Sequence, residues 1–120
     1  MPYFFDTYAI IEIIKSNENY LPYREEDIFT SLLNFGELYY ALLIHFNESI
    51  AEEWRKKLEG TYLAITEKVI IKAMKFKFEH KHKNFSFIDC VGYTIAKENA
   101  MKFLTGDKEF EGIESVEFVK

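Results

Sequence analysis

The segment FSFIDCVGYTIAKENAMKFLTGDKEF, residues 85–110, decides the fold because it joins a helix to a buried strand. Its apolar spacing predicts a helix over residues 88–100, and residues 103–105 follow as a short buried strand. An acidic residue marks each end of this unit, with Asp89 at the start of the helix and Asp107 just after the strand. The segment therefore predicts one helix–strand unit of an α/β fold that carries a carboxylate at either end.

The same alternation of strand and helix extends through the rest of the chain. Further helices are predicted over residues 7–15, 32–46, 49–58 and 66–74. Further strands are predicted over residues 3–5, 28–30, 62–65 and 116–119, the last as an edge strand. The run from Lys75 to Lys83 is ambiguous, because its alternation of Lys and Phe also fits a strand.

Strands that alternate with helices imply right-handed crossover connections, and hence a largely parallel sheet with helices on both faces. No repeat, low-complexity tract or Pro/Gly-rich linker divides the chain, so one domain over residues 1–120 is expected. Ligands of such sheets bind at the carboxyl ends of the strands. Asp6 and Asp107 each follow a predicted strand at that end.

The composition is that of a globular protein, with 48% hydrophobic and 29% charged residues. The single cysteine, Cys90, excludes an internal disulfide and a thiolate zinc site, and it suits a reducing cytosol. The sequence starts without a basic region followed by a long apolar run, and no apolar stretch approaches ~18 residues. We therefore expect a cytoplasmic protein with neither signal peptide nor membrane span.

Four isolated acidic residues share one setting, since each ends an apolar run or stands alone within one: Asp6, Glu37, Asp89 and Asp107. A carboxylate beside a core is costly unless it is paired or binds a cation. Mg²⁺ and Mn²⁺ prefer carboxylate oxygens, and two such ions about 3.5–4 Å apart can activate water and stabilise the leaving oxygen of a phosphodiester. The set therefore predicts a divalent-metal site.

Each acid also has a purely structural explanation. Asp6 is suited to cap the helix that follows it. Glu37 and Asp89 have capping-box spacing from Asn34 and Ser86, while Asp107 belongs to an ordinary turn. For any one acid alone the structural explanation is favoured, and the metal hypothesis depends on the set.

Three pieces of the chain carry a resemblance to a known family: FFDTYAII around Asp6, NFGELYYAL around Glu37, and the segment 85–110. In order and spacing they resemble PIN domains, and among these the small VapC-type toxins of prokaryotic toxin–antitoxin pairs. The most specific piece pairs the helical Asp89 with Thr-x-Asp, a basic residue and Phe, here residues 105–110. Cys90 stands where the family commonly has Ala.

The resemblance implies a three-layer α/β/α sandwich with a central, mainly parallel sheet. It also implies a Mg²⁺- or Mn²⁺-dependent endoribonuclease, a hydrolase that is often homodimeric and is inhibited by a small antitoxin protein. By the same resemblance, Asp6, Asp89 and Asp107 would bind metal and Glu37 would orient or share it. Thr7 and Thr105 would be supporting hydroxyls.

Charge does not decide whether the chain binds RNA. The net charge of −5 argues against a general nucleic-acid surface, but five lysines are clustered: Lys72, Lys75, Lys77, Lys81 and Lys83. If the protein cuts RNA, these lysines could contact phosphates. A solvated charged face is the alternative explanation.

Two rival functions remain open at the level of sequence. One is a PIN-like RNA-processing nuclease without an antitoxin. The other is a PIN-like binding module that has lost catalysis, against which the presence of all four acids argues.

Overall fold

The computed structural model describes residues 2–120, and within them four parallel strands form one sheet. In chain order the strands are β1 (Tyr3–Phe5), β2 (Ile28–Phe29), β3 (Lys102–Thr105) and β4 (Val116–Phe118). They lie side by side in the order β2-β1-β3-β4, so β4 is an edge strand, as expected. The predicted parallel sheet is confirmed.

The described residues form five α-helices, each within two residues of its predicted start: α1 (Thr7–Ile14), α2 (Leu32–His45), α3 (Glu48–Lys57), α4 (Glu67–Glu79) and α5 (Phe87–Glu98). The residue before each helix caps it through a side-chain oxygen that accepts a backbone N–H bond. Two short 3₁₀ turns cover Glu18–Tyr23 and Lys108–Phe110. In the part of the chain that the structure describes, no helix combines the length and apolarity that crossing a bilayer requires.

Alternation along the central strands gives the sheet two apolar faces. Phe4 pairs with Phe103, and their stacked rings lie in a core with residues of α4 and α5. Phe5 pairs with Leu104, and both lie in a second core with residues of α1, α2 and α3. Because successive side chains of a strand point to opposite faces, the short runs of β1 and β3 supply both cores. The fold is therefore the expected three-layer α/β/α sandwich.

The strand predicted over residues 62–65 is wrong. Tyr62 makes only a single parallel bridge to Thr30, beyond the end of β2. Backbone bonds join Thr30 to Thr61 and Leu63, after which the chain turns into the cap of α4. The apolar run lacks a partner of sufficient length, because β2 has only two residues.

The ambiguous run from Lys75 to Lys83 is helical in its first half. The helix α4 continues to Glu79, and turn residues follow it. The buried residues Val69 and Ala73 of α4 lie one turn apart against the core. Helical spacing therefore prevails over the local alternation of Lys and Phe.

Candidate active site

The four acids named from the sequence line one cleft at the carboxyl edge of the sheet. Asp6 follows β1 and Asp107 follows β3, while Glu37 comes from α2 and Asp89 from the start of α5. The cleft has a volume of about 370 Å³, and its other lining residues are Thr7, Tyr8, Gly106, Lys108 and Lys120. Four separate elements thus each place one carboxylate in a single cleft.

Asp6 is the buried member of the set, with only 3% of its surface exposed. Its Oδ1 accepts a bond from the backbone N–H of Thr7 (2.9 Å), and its Oδ2 accepts one from the Thr105 hydroxyl (2.7 Å). Burial raises the pKa of Asp6 to about 8, the charge of Asp89 contributes to the rise, and the Thr105 hydrogen bond opposes it. The metal-free cleft therefore favours a proton on Asp6 at neutral pH.

Glu37 is held by a chain of polar side chains that begins at the start of α2. The Thr7 hydroxyl donates to Glu37 Oε1 (2.6 Å), and the Asn34 amide donates to that hydroxyl (3.1 Å). The Ser31 hydroxyl in turn donates to Asn34 Oδ1 (2.6 Å). Ser31, Asn34 and Thr7 are buried, so these bonds fix the direction in which Glu37 enters the cleft.

Asn34 has a different role from the one that its spacing predicts. The spacing makes it the cap of a capping box with Glu37, but the cap is Ser31 and Asn34 lies inside α2. The Asn34 amide reaches Thr7 and lies 3.4 Å from Asp6 Oδ1. The available signal for this role is its position one helical turn before Glu37, which puts the two side chains on one face of the helix.

Asp89 and Asp107 have structural roles as well as places in the cleft. Asp89 forms the predicted capping box with Ser86, through bonds of 2.9 and 3.0 Å. Asp107 caps the turn Lys108–Phe110, since its Oδ1 accepts a bond from Glu109 N (3.0 Å). Such a bond occupies one carboxylate oxygen, so capping and ligand binding are compatible for both residues.

The acids are close enough to influence one another. Burial raises the pKa of Asp89, the Ser86 hydrogen bonds oppose this shift, and the charges of Asp107 and Glu37 add to it. The Thr105 hydroxyl also connects two of the acids, because it donates to Asp6 and accepts from the backbone N–H of Asp107 (3.1 Å). Negative charge thus accumulates in the cleft unless a proton or a cation offsets it.

The four cleft carboxylates are the type of ligand that a hard divalent cation prefers. Within residues 2–120, no three Asp, Glu, His or Cys side chains are grouped tightly enough to hold a metal ion between them. Mg²⁺ and Mn²⁺ retain several waters and need only a few direct carboxylate ligands. Four carboxylates in an open cleft suit an ion that keeps several waters. They suit an ion whose ligands all come from the protein less well.

The five clustered lysines lie outside this cleft. Lys72 pairs with Glu98 (2.9 Å), Lys77 Nζ donates to the Phe85 carbonyl (2.5 Å), and Lys83 Nζ donates to the Glu109 carbonyl (3.1 Å). Lys81 lies over the Phe78 ring, and Lys75 is exposed on α4. Three of the five therefore hold structural contacts, and RNA contact by this cluster stays a prediction.

Known structures share this fold over almost the whole chain. A toxin–antitoxin complex from Klebsiella pneumoniae matches with 18% identity and a TM-score of 0.77, covering 98% of this chain and 96% of that chain. VapC20 from Mycobacterium tuberculosis, named a sarcin–ricin loop cleaving toxin, matches with 16% identity and a TM-score of 0.79, covering 98% and 99%. VapBC2 from Rickettsia felis, bound to a promoter DNA fragment, matches with 15% identity and a TM-score of 0.73, covering 100% of both chains. At such identities the likeness establishes the fold alone.

The sequence itself gives the family. A comparison with curated proteins found no match. The family model for the PIN domain matches residues 3–115, a range that includes all four acids and the elements that carry them. The chain therefore belongs to the PIN domain family.

Proposed function

We propose that this chain is a metal-dependent endoribonuclease that hydrolyses RNA phosphodiester bonds as the toxin of a type II, VapBC-like module. The observation that carries the proposal is the convergence of four carboxylates from four elements on one cleft, with Asp6 buried among them. Membership of the PIN family and the toxin structures with the same fold support it.

In this proposal Asp6, Asp89 and Asp107 hold Mg²⁺ or Mn²⁺, and Glu37 orients or shares the ions. When bound, the cation would lower the pKa of water and offset charge at the phosphate. The protein's own contribution is positional. The Thr105 hydroxyl fixes Asp6 and the Thr7 hydroxyl fixes Glu37, so the carboxylates keep their directions without reorganising during the reaction.

The proposal includes protein partners. Structures with the same fold are toxin–antitoxin complexes, which supports a small antitoxin as the inhibitor of this chain in the cytoplasm. Large apolar side chains of α2 and its cap are exposed: Leu32, Tyr40, Leu43, Ile44 and Phe46. Exposed apolar surface of this kind is typical of protein interfaces, and it supports both an antitoxin and a second copy of the chain.

The test is an RNA cleavage assay with structured and unstructured RNAs, titrated with Mg²⁺ and Mn²⁺. We expect cleavage by the wild-type protein that disappears when EDTA removes the metal. Asp6→Asn should reduce the rate on the order of 100-fold or more, because a cation contributes several kcal/mol to the transition state. Asp27→Asn makes the same chemical change at an exposed acid outside the cleft and should cleave like wild type.

The assay separates the proposal from an inactive module, and the neighbouring genes separate it from a processing nuclease. An inactive PIN-like module would leave every RNA intact at all metal concentrations. Undiminished cleavage by Asp6→Asn would remove Asp6 from the mechanism. A processing nuclease would cut RNA in the same metal-dependent way, but no gene for a small inhibitory partner would lie beside its own.

A further inference from the structure

Lys108 and Lys120 line the cleft together with the four acids. They are the cationic members of a lining that otherwise consists of acids, Thr7, Tyr8 and Gly106. Across residues 2–120, neither lysine is among the side chains that form an ion pair within 4.0 Å. Among the described residues, these two exposed lysines therefore line an acidic cleft without an ion pair to any of its carboxylates.

The backbone that carries Lys120 is fixed in place. Val119 N donates to the Thr105 carbonyl (2.9 Å), and the Tyr20 hydroxyl donates to the Val119 carbonyl (2.5 Å). The main-chain oxygen of Lys120 accepts bonds from the side-chain amides of Asn17 (3.3 Å) and Asn19 (3.0 Å). The exit of β4 is thus pinned between β3 and the turn Glu18–Tyr23, which presents Lys120 at the cleft.

Gly106 brings this exit against the loop that carries Asp107 and Lys108. A Cβ at position 106 would clash with the Tyr8 ring and the Val119 carbonyl, so the two segments touch only because the residue is glycine. Lys108 begins the turn that Asp107 caps, and the buried Phe110 anchors the end of that turn. Lys108 and Lys120 therefore extend from two packed backbone segments that touch where Gly106 meets Val119.

Three lysines outside the cleft differ from these two in their contacts. Lys72 is paired with Glu98, and Lys77 and Lys83 donate to main-chain carbonyls. Their charge is directed to intramolecular contacts and lies outside the cleft. Among the charges that residues 2–120 bring to the cleft, only Lys108 and Lys120 can attract a polyanion that the four acids would repel.

We propose that Lys108 and Lys120 bind backbone phosphates of the RNA strand next to the bond to be cut, and so position the strand across the acids. This inference rests on the proposed nuclease function. An ammonium group binds phosphate as a point charge and reads no base, so these lysines set affinity and register but not sequence preference. Each contact should also release a counterion from the RNA and make binding salt-dependent.

The test uses steady-state cleavage of a short fluorescent single-stranded oligoribonucleotide in Mn²⁺. Lys108→Ala and Lys120→Ala should each raise KM about 5-fold or more while kcat stays within about twofold of wild type. The dependence of log kcat/KM on log salt should become shallower by roughly 0.7 for each lysine removed, since one phosphate contact is lost. Lys120→Arg keeps the charge and should restore KM. Lys56→Ala, an exposed lysine of α3 outside the cleft, should behave like wild type.

Each outcome decides one point. If the wild type cleaves and both alanine variants keep its KM and salt slope, the inference is wrong and the nuclease proposal stands. A fall in kcat at unchanged KM also overturns the inference, because it would place the lysines in the chemical step. If the wild type cuts no RNA under any metal condition, the nuclease proposal fails, and this inference fails with it. Thermal unfolding of each variant checks that it is folded.

Discussion

Asp6 is almost completely buried, and burial disfavours the charged form of its carboxyl group. Its pKa in the folded, metal-free protein is raised from 3.8 to about 8, mainly by burial. At about pH 3 both the folded and the unfolded states hold this proton, and the group has little effect on stability. Between about pH 4 and 8 the unfolded chain releases the proton while the folded chain keeps it, so the free energy of unfolding falls as pH rises.

Asp6→Asn should change how the stability of the protein depends on pH when metal is removed. Asparagine cannot ionise, so the variant should lose the Asp6 part of the decline in stability between about pH 4 and 8. The gain at pH 8 is at most on the order of 5 kcal/mol, because one pKa unit corresponds to about 1.4 kcal/mol. Urea unfolding in EDTA at pH 5 and pH 8 measures it, with Asp27→Asn as the control. A pH dependence identical to wild type would show that Asp6 is not destabilised by burial.

The proton on Asp6 also bears on metal binding. In the proposed metal-bound state, a cation and a proton would compete for the same carboxylate. The residue that burial makes destabilising would then favour the metal-bound fold. Such a trade of stability for function is common at active sites.

At the scale of elements, the cleft is built from the ends of helices and strands. Asp6 caps α1, the Ser86–Asp89 capping box caps α5, and Asp107 caps the turn after β3. Because parallel strands end at one edge of the sheet, residues that begin the next element meet there. The acids that cap these elements therefore also line the cleft.

Gly106 allows the exit of β4 to pack against the loop after β3. In Gly106→Ala the new Cβ would displace either the Tyr8 ring or the Val119 carbonyl, and with it the exit of β4. We expect a loss of about 1–3 kcal/mol in stability, as in overpacked cores, together with reduced cleavage because Asp107 moves. Chemical unfolding and the RNA assay measure the two effects.

Gly36 is the matched control for that substitution. It lies inside α2 and is exposed, and a Cβ added to it would meet no atom within 4 Å. Gly36→Ala should therefore raise stability by about 0.5–1 kcal/mol through helix propensity. A Gly106→Ala protein as stable as this control would contradict the close approach of β4 to the loop after β3.

At the scale of the whole molecule, much of the fold follows from local pattern. Apolar spacing located every helix, and Phe4-Phe5 and Phe103-Leu104 marked the central strands because they supply both cores. The helix and strand predictions succeeded where neighbours in sequence are also neighbours in the fold. Strand–helix alternation assigned Asp6 and Asp107 to the carboxyl edge of the sheet, whereas Glu37 and Asp89 were grouped with them by their shared setting and by the family resemblance.

Long-range contacts account for what the sequence did not reveal. The apolar run at residues 62–65 has strand character, but whether it pairs depends on the length of β2, which lies far earlier in the chain. Lys120 reaches the cleft through bonds to Asn17 and Asn19, and Asn34 reaches Thr7 across the gap between α1 and α2. Helical spacing places Asn34 on the same face as Glu37, but no local pattern pairs Asn34 with Thr7 or brings Lys120 to the cleft.

We propose that folding creates one divalent-cation site from Asp6, Glu37, Asp89 and Asp107. The most direct test is an anomalous difference map from crystals soaked in Mn²⁺, with Asp6→Asn crystals treated identically. We expect a strong peak among these carboxylates in the wild type. In the variant the peak should be absent or much weaker. A cleft without a peak at saturating Mn²⁺, or an equal peak in both proteins, would contradict it.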